Sequence, residues 1–110
     1  MHWLDEIALE LDRGQQAKQT GNDGKARTAA RRAAGIAVTQ LQNRVPEKRY
    51  GADAMQQLRG IAEDLSLPED VRQAATRLQA RVSPDFTSPS QEPLADARVI
   101  IDFIRQALDL

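Results

Sequence analysis

The sequence contains no cysteine and a single histidine, His2. That excludes a cysteine nucleophile, a disulfide framework, and any metal site built from Cys or several His. Aromatics are almost as scarce: Trp3, Tyr50, Phe86 and Phe103 are the only four. No apolar run approaches the ~18 residues of a membrane span. The opening residues, Met1-His2-Trp3-Leu4-Asp5-Glu6, are acidic and lack the apolar stretch of a secretion signal. Strand signals are nearly absent, because no stretch alternates apolar and polar over five residues. These absences predict a soluble, cytoplasmic, all-α protein with no cofactor and no metal.

What remains is enough for a core. The chain has 110 residues, 41% of them hydrophobic, which suits one domain spanning 1–110. Its net charge of -1 hides an uneven layout. Residues 1–12 carry four acids and no base, for -4. Residues 13–49 carry nine bases against Asp23 and Glu47, for +7, and residues 50–110 return to -4. A basic middle between acidic ends either pairs within the fold or binds an anion such as nucleic acid. A total charge near zero favours internal pairing.

Apolar residues recur throughout at the helical period. Leu4, Ile7, Ala8 and Leu11 form one stripe of a first helix over 3–19, with Leu9 pointing away. The stripe weakens to Gly14, Gln15 and Lys18, which predicts thin packing or a polar neighbour there. Thr20-Gly21-Asn22-Asp23-Gly24 is a turn, with Asn22 or Asp23 placed to cap the next helix. That second helix, over 25–43, has an alanine face: Ala26, Ala29, Ala30, Ala33 and Ala37, then Leu41. Small side chains let helix axes approach closely. Gly35 falls on the opposite side, in a stripe with Thr28, Arg31, Thr39 and Gln42. A mid-helix glycine costs about 1 kcal/mol relative to alanine. Gly35 is therefore either tolerated or needed for the close approach of a partner helix.

Pro46 ends the second helix, and a third follows over 51–65 with the stripe Ala54, Leu58, Ile61, Ala62 and Leu65. Tyr50 is placed to staple it. Ser66-Leu67-Pro68-Glu69 has the capping-box spacing for a fourth helix, whose core face is Val71, Ala74, Ala75, Leu78 and Val82. Residues 83–93 hold Pro84, Pro89 and Pro93, which makes them a crossover or linker carrying Phe86. The last helix, over 94–108, is the most apolar. Arg98, Asp102, Arg105 and Asp109 make one charged strip, at spacings that allow intrahelical ion pairs. Ile101, Ile104 and Leu108 lie on one flank, and Val99, Phe103 and Leu110 on the other. An arc this broad places the helix at the centre of the bundle or gives one flank to another subunit.

Catalytic groupings are thin. Glu63-Asp64 and Glu69-Asp70 are adjacent acids that can hold a divalent ion, but acids also favour first helical turns. Asn22-Asp23-Gly24-Lys25 lacks the glycine spacing, the Ser or Thr and the preceding strand of a phosphate loop. His2 sits at a terminus expected to be mobile, so no Ser-His-acid triad is available. Lys25, Arg27, Arg31 and Arg32 form the candidate anion site, close to a helix N-terminus whose N–H groups also attract anions. No aromatic lies beside them to stack on bases. The competing reading is a solvated face paired with the acids of the first helix.

An acidic first helix, a short polar turn and an Ala- and Arg-rich second helix run from Trp3-Leu4-Asp5-Glu6-Ile7-Ala8 through Lys25-Ala26-Arg27 to Arg31-Arg32-Ala33-Ala34-Gly35. In this pattern the chain resembles HEPN domains over residues 3–44. The resemblance implies an up-and-down bundle of four or five helices that is frequently dimeric. Members include ribonuclease toxins and non-catalytic partners of small nucleotidyltransferases. The ribonucleases carry an Arg followed four to six residues later by His, and no His follows any Arg here. The resemblance thus implies a binding role without catalytic residues.

The expected molecule is a single up-and-down bundle of about five helices with one longer Pro-rich crossover. Its expected role is that of a non-catalytic interaction module and not an enzyme. It would form a homodimer through Gly35, Val99, Phe103 and Leu110, or bind a protein partner such as a nucleotidyltransferase. The alternative is an anion- or RNA-binding protein that uses Lys25, Arg27, Arg31 and Arg32.

Overall fold

Five helices form, each where the apolar spacing places one. A computed structural model of the chain describes residues 2–80 and 91–110. In chain order the helices are α1 (Trp3–Gln19), α2 (Asp23–Arg44), α3 (Ala54–Glu63), α4 (Glu69–Gln79) and α5 (Pro93–Ala107). No strand occurs among the described residues. Val82, Phe86 and most of the expected crossover lie outside the described residues.

Local chemistry sets the boundaries. His2, expected on a mobile end, caps α1: its Nδ1 accepts the Leu4 N–H at 3.1 Å, and its ring stacks on Trp3. Asn22 caps α2 by accepting the Lys25 N–H, and Asp53 caps α3 by accepting the Gln56 N–H. α2 stops at Arg44, two residues before Pro46. Pro93, expected in the crossover, is instead the first residue of α5, where a missing N–H breaks no helical bond. At the far end the Leu110 N–H reaches Arg105 O at 2.8 Å and the Asp109 N–H reaches Gln106 O at 3.1 Å. This is a Schellman closure, with Asp109 at φ 62° where glycine is usual.

The capping box at Ser66 does not form. Pro68 precedes α4 without a side-chain cap, and Ser66 turns back to Asp64, donating its hydroxyl at 2.6 Å and its N–H at 3.0 Å. The Ser66 oxygen, which a cap would use as acceptor, instead accepts from Lys48 Nζ at 2.6 Å.

Packing is organised around α2, which touches every other helix. α1 lies along α2 and meets α5 only narrowly, while α3 packs on α4 and α4 on α5. The alanine face is buried as expected: Ala26, Ala29, Ala30, Ala33, Ala37 and Leu41 all lie in the core. Ala34 and Val38 are buried too, and so is Gly35 on the opposite side, where α3 covers it. A Cβ on Gly35 would stand 3.1 Å from both Ala54 Cβ and Gln57 Oε1. The close partner that Gly35 admits is therefore α3 of the same chain. As folded, Gly35 offers nothing to a second subunit, which corrects its expected place in an oligomer interface.

Three stripes are rotated relative to expectation. In α1 the buried residues are Trp3, Ile7, Gly14 and Ala17, whereas Leu4 and Leu11 are half-buried and Ala8 is exposed. At Gly14 the missing side chain lets α1 close onto Ala26 and Ala29 of α2. Toward the end of α1 the packing is close at Gly14, whose Cβ position is 2.6 Å from Leu94 Cδ2 and 3.2 Å from Ala29 Cβ, and Lys18 meets the expected polar neighbour, Glu92, at 2.7 Å. In α3, Leu58 and Ile61 are fully buried, but Leu65 is 82% exposed. The helix ends at Glu63, so Leu65 leaves the stripe and Leu67 enters the core in its place. α5 is not the centre of the bundle. It buries Ile101 and Ile104 against α2 and α4 and leaves its other flank half-open.

In α4, Val71, Ala74, Ala75 and Leu78 are buried as the spacing predicts. Leu78 is fully enclosed, so Leu78→Ala should lower unfolding free energy by about 2–5 kcal/mol in a denaturant titration. An unchanged midpoint would show that this face is not the core.

Candidate functional site

The four bases of the candidate anion site do not act together. Residues seven apart on a helix share a side, as do residues four apart, so Lys25 pairs with Arg32 and Arg27 with Arg31. Arg31 turns inward: its Nε donates to Leu78 O at 2.8 Å and its Nη2 to Ala80 O at 3.1 Å. These are end carbonyls of α4, which a cation satisfies by hydrogen bonding and by opposing the helix dipole. Burial, with a smaller contribution from neighbouring Arg27, pushes the Arg31 guanidinium below its ordinary range. Arg31 is a structural clasp, and this corrects its expected role in an anion site.

Lys25 and Arg32 face the other way. With Arg13 of α1 they line an open cleft of about 480 Å³ at the turn of the α1–α2 hairpin, together with Gln16, Thr20 and Asn22. Arg13 is paired with Glu10 at 2.9 Å. Neither Lys25 nor Arg32 has an ion-pair partner among the described residues. Arg13 was missed in the sequence because it lies on the preceding helix, twelve positions before Lys25.

The stripe of Arg31, Gly35, Thr39 and Gln42, which the sequence places opposite the core, holds contacts to neighbouring elements: Gly35 is buried, Arg31 and Gln42 are half-buried and Thr39 is exposed. Gln57 is buried and donates from Nε2 to Thr39 Oγ1 at 2.9 Å. Gln42 Oε1 accepts the N–H groups of Tyr50 and Gly51, at 2.7 and 3.0 Å, and its Nε2 donates to Gly51 O. These amides meet the backbone needs of the loop between α2 and α3.

Asp64 anchors the other side of that loop. It accepts from Ser66, from the Tyr50 hydroxyl at 2.6 Å and from Lys48 Nζ at 3.0 Å. Lys48 also donates to Ser66 Oγ at 2.6 Å. The Ser66 hydroxyl, then the Tyr50 hydroxyl, then Lys48 hold the Asp64 carboxyl well below its ordinary 3.8, against an opposing effect of burial. Burial and then Asp64 push the Tyr50 phenol above its usual range. Lys48 and Ser66 come within bonding distance, yet the serine proton already points to a carboxylate and its oxygen already accepts from lysine. The cluster is a clasp between two loops. Of the other expected acids, Glu69 accepts from Gln73 and Asp70 from the Val71 N–H.

On α5, Val99 and Phe103 are half-buried and Leu110 is 49% exposed. Beside them Arg98, Asp102, Arg105 and Asp109 are all exposed. The intrahelical ion pairs their spacing allows do not form: among the described residues none of the four lies within ion-pair distance of an opposite charge. The one acid of α5 that faces inward is Asp96, which receives Arg77 of α4 at 2.7 Å. On the α1 side, Arg98, Asp102 and Arg105 border a shallow groove of about 270 Å³ floored by Leu4, Ile7, Ala8, Leu11 and Ile101.

Compared with protein-family models, curated proteins and solved structures, the chain matches none. Its surfaces are therefore read from their own chemistry.

Asp64 contributes stability that is complete above its ordinary pKa of 3.8 and is lost as pH falls through its depressed folded value. Asp64→Asn should accordingly be less stable than the parent at neutral pH, and the gap should narrow as pH falls below 3.8, read from thermal melts between pH 7 and pH 2. Parallel curves for the two proteins would contradict the clasp.

Proposed function

We propose that the chain is a non-catalytic helical interaction module that associates with itself through the outward flank of α5. The observation that carries this reading is the half-open apolar flank of Val99, Phe103 and Leu110 on a helix whose opposite flank buries Ile101 and Ile104 in the core. Apolar surface that neighbouring helices leave uncovered favours association, roughly in proportion to the area a partner removes from water. The clusters that most resemble reactive sites, around Asp64 and around Arg31, are engaged in holding loops and helix ends. The resemblance to HEPN domains supports a binding role and adds a nucleotidyltransferase as an alternative protein partner. The lack of cysteine accords with a cytoplasmic setting.

Light scattering at rising concentration should show the mass climb toward two chains. Leu110→Asp, which places a charge on an exposed position, should hold it nearer one. A strictly monomeric particle at high concentration contradicts the reading.

A second reading has its own support. Lys25 and Arg32, unpaired and open to solvent, converge with Arg13 on one cleft. An anion such as a phosphate group of RNA would meet three bases there, without aromatic stacking. Arg32→Glu should abolish salt-dependent retention of a labelled RNA oligonucleotide while leaving the melting temperature unchanged. Binding that survives this substitution rules the cleft out.

A further inference from the structure

The charged strip of α5 reads +, −, +, − as Arg98, Asp102, Arg105 and Asp109. Its arrangement is antisymmetric. The midpoint between Arg98 and Asp109 and the midpoint between Asp102 and Arg105 coincide, falling between Phe103 and Ile104. Turning the helix end for end about that midpoint exchanges the sites of Asp102 and Arg105, and it brings Arg98 toward Asp109, which stands just past the helix end at Ala107. A two-fold axis does this when it relates two antiparallel helices, because it keeps each flank on its own side of the contact. Deepening the self-association proposed above, and resting on it, we infer that two copies of α5 pair antiparallel about a two-fold axis beside Phe103. Asp102 of each copy then faces Arg105 of the other, and Arg98 faces Asp109.

Three further features fit this occupant. Among the described residues the four charges make no ion pair, which leaves them to face a second copy. The apolar flank runs parallel to the strip, so the same operation lays Phe103 against its own copy and Val99 beside Leu110. Between strip and flank, the outermost residue of the overlapping segment is Gln106, which is exposed. The apolar seam supplies the attraction. The charges set direction and register, since partly solvated ion pairs add little affinity but like charges in contact oppose it. A parallel pairing sets Arg98 against Arg98 and Asp102 against Asp102 and is thereby disfavoured. One helix pair of this length buries an area at or below the low end of specific interfaces, about 1,200 Å², so the dimer is weak and must be read at high concentration.

Sedimentation of four proteins tests the pairing: the parent, Asp102→Arg, the double variant Asp102→Arg with Arg105→Asp, and a full swap of all four charges. All the substitutions are at exposed positions. Asp102→Arg should weaken dimerisation at least tenfold, and the double variant should recover it. The full swap should self-associate like the parent yet refuse mixed dimers with it, because each contact would then oppose like charges. The sequence has no cysteine, so Phe103→Cys carries the only thiol and should cross-link as a dimer on mild oxidation, whereas Leu65→Cys should not. Should Phe103→Cys lose its fold, the charge variants decide alone. A parent that dimerises regardless of these charges and mixes freely with the swapped chain overturns the antiparallel pairing but leaves self-association standing. A parent that is monomeric at every concentration overturns both.

Discussion

Everything in this molecule depends on how close other helices can come to α2. Its buried face consists of alanines, with Gly35 turned toward α3 and Gly14 of α1 set against Ala29. Bulky side chains on α2 would hold its neighbours apart, and one helix could not then be enclosed by four. Small residues bury little apolar area each, so the affinity of the core comes from what the neighbours bring: Trp3 and Ile7, Leu58 and Ile61, Leu78, Ile100 and Ile104. A central rod of small residues with large residues arriving from all sides fills space at native density without strain. It also fixes the fold's tolerance, since added volume at Gly35 has only Ala54 and Gln57 to displace.

Much of this was legible in the sequence, and the gaps have physical causes. Helical period, turn residues and the alanine face placed all five helices, because those signals are local. What periodicity does not reveal is how many sides of a helix are covered. Arg31, Thr39 and Gln42 read as an outer stripe since polarity usually marks solvent, yet here they meet end carbonyls, a buried amide and a loop backbone. Ser66 had the spacing of a cap, but Lys48, distant in sequence, takes the oxygen that would have capped α4. The candidate anion site was misjudged for the same reason. Four bases close in sequence fall on two faces of α2, and the third base of the cleft comes from another helix. Leu65 shows the limit of extending a stripe past the end of its helix.

The surface divides according to what the fold already uses. Around α3 and the two loops beside it, nearly every polar group that resembles a reagent serves as a fastener: Asp64 with Lys48, Tyr50 and Ser66, and Gln42 with the loop backbone. The open chemistry lies elsewhere, in the unpaired charges and half-covered apolar flank of α5 and in the bases at the hairpin turn. These are the groups on which the proposed recognition role draws. The two surfaces belong to different helices, so one can be occupied without closing the other.

Native-state hydrogen exchange tests the central role of α2 most directly. If α2 is the rod around which the others assemble, its amides from Ala29 to Leu41 will exchange only through global unfolding and will be the slowest in the chain. Exchange of the α2 amides through a smaller opening, with α3 and α4 still protected, would contradict the account.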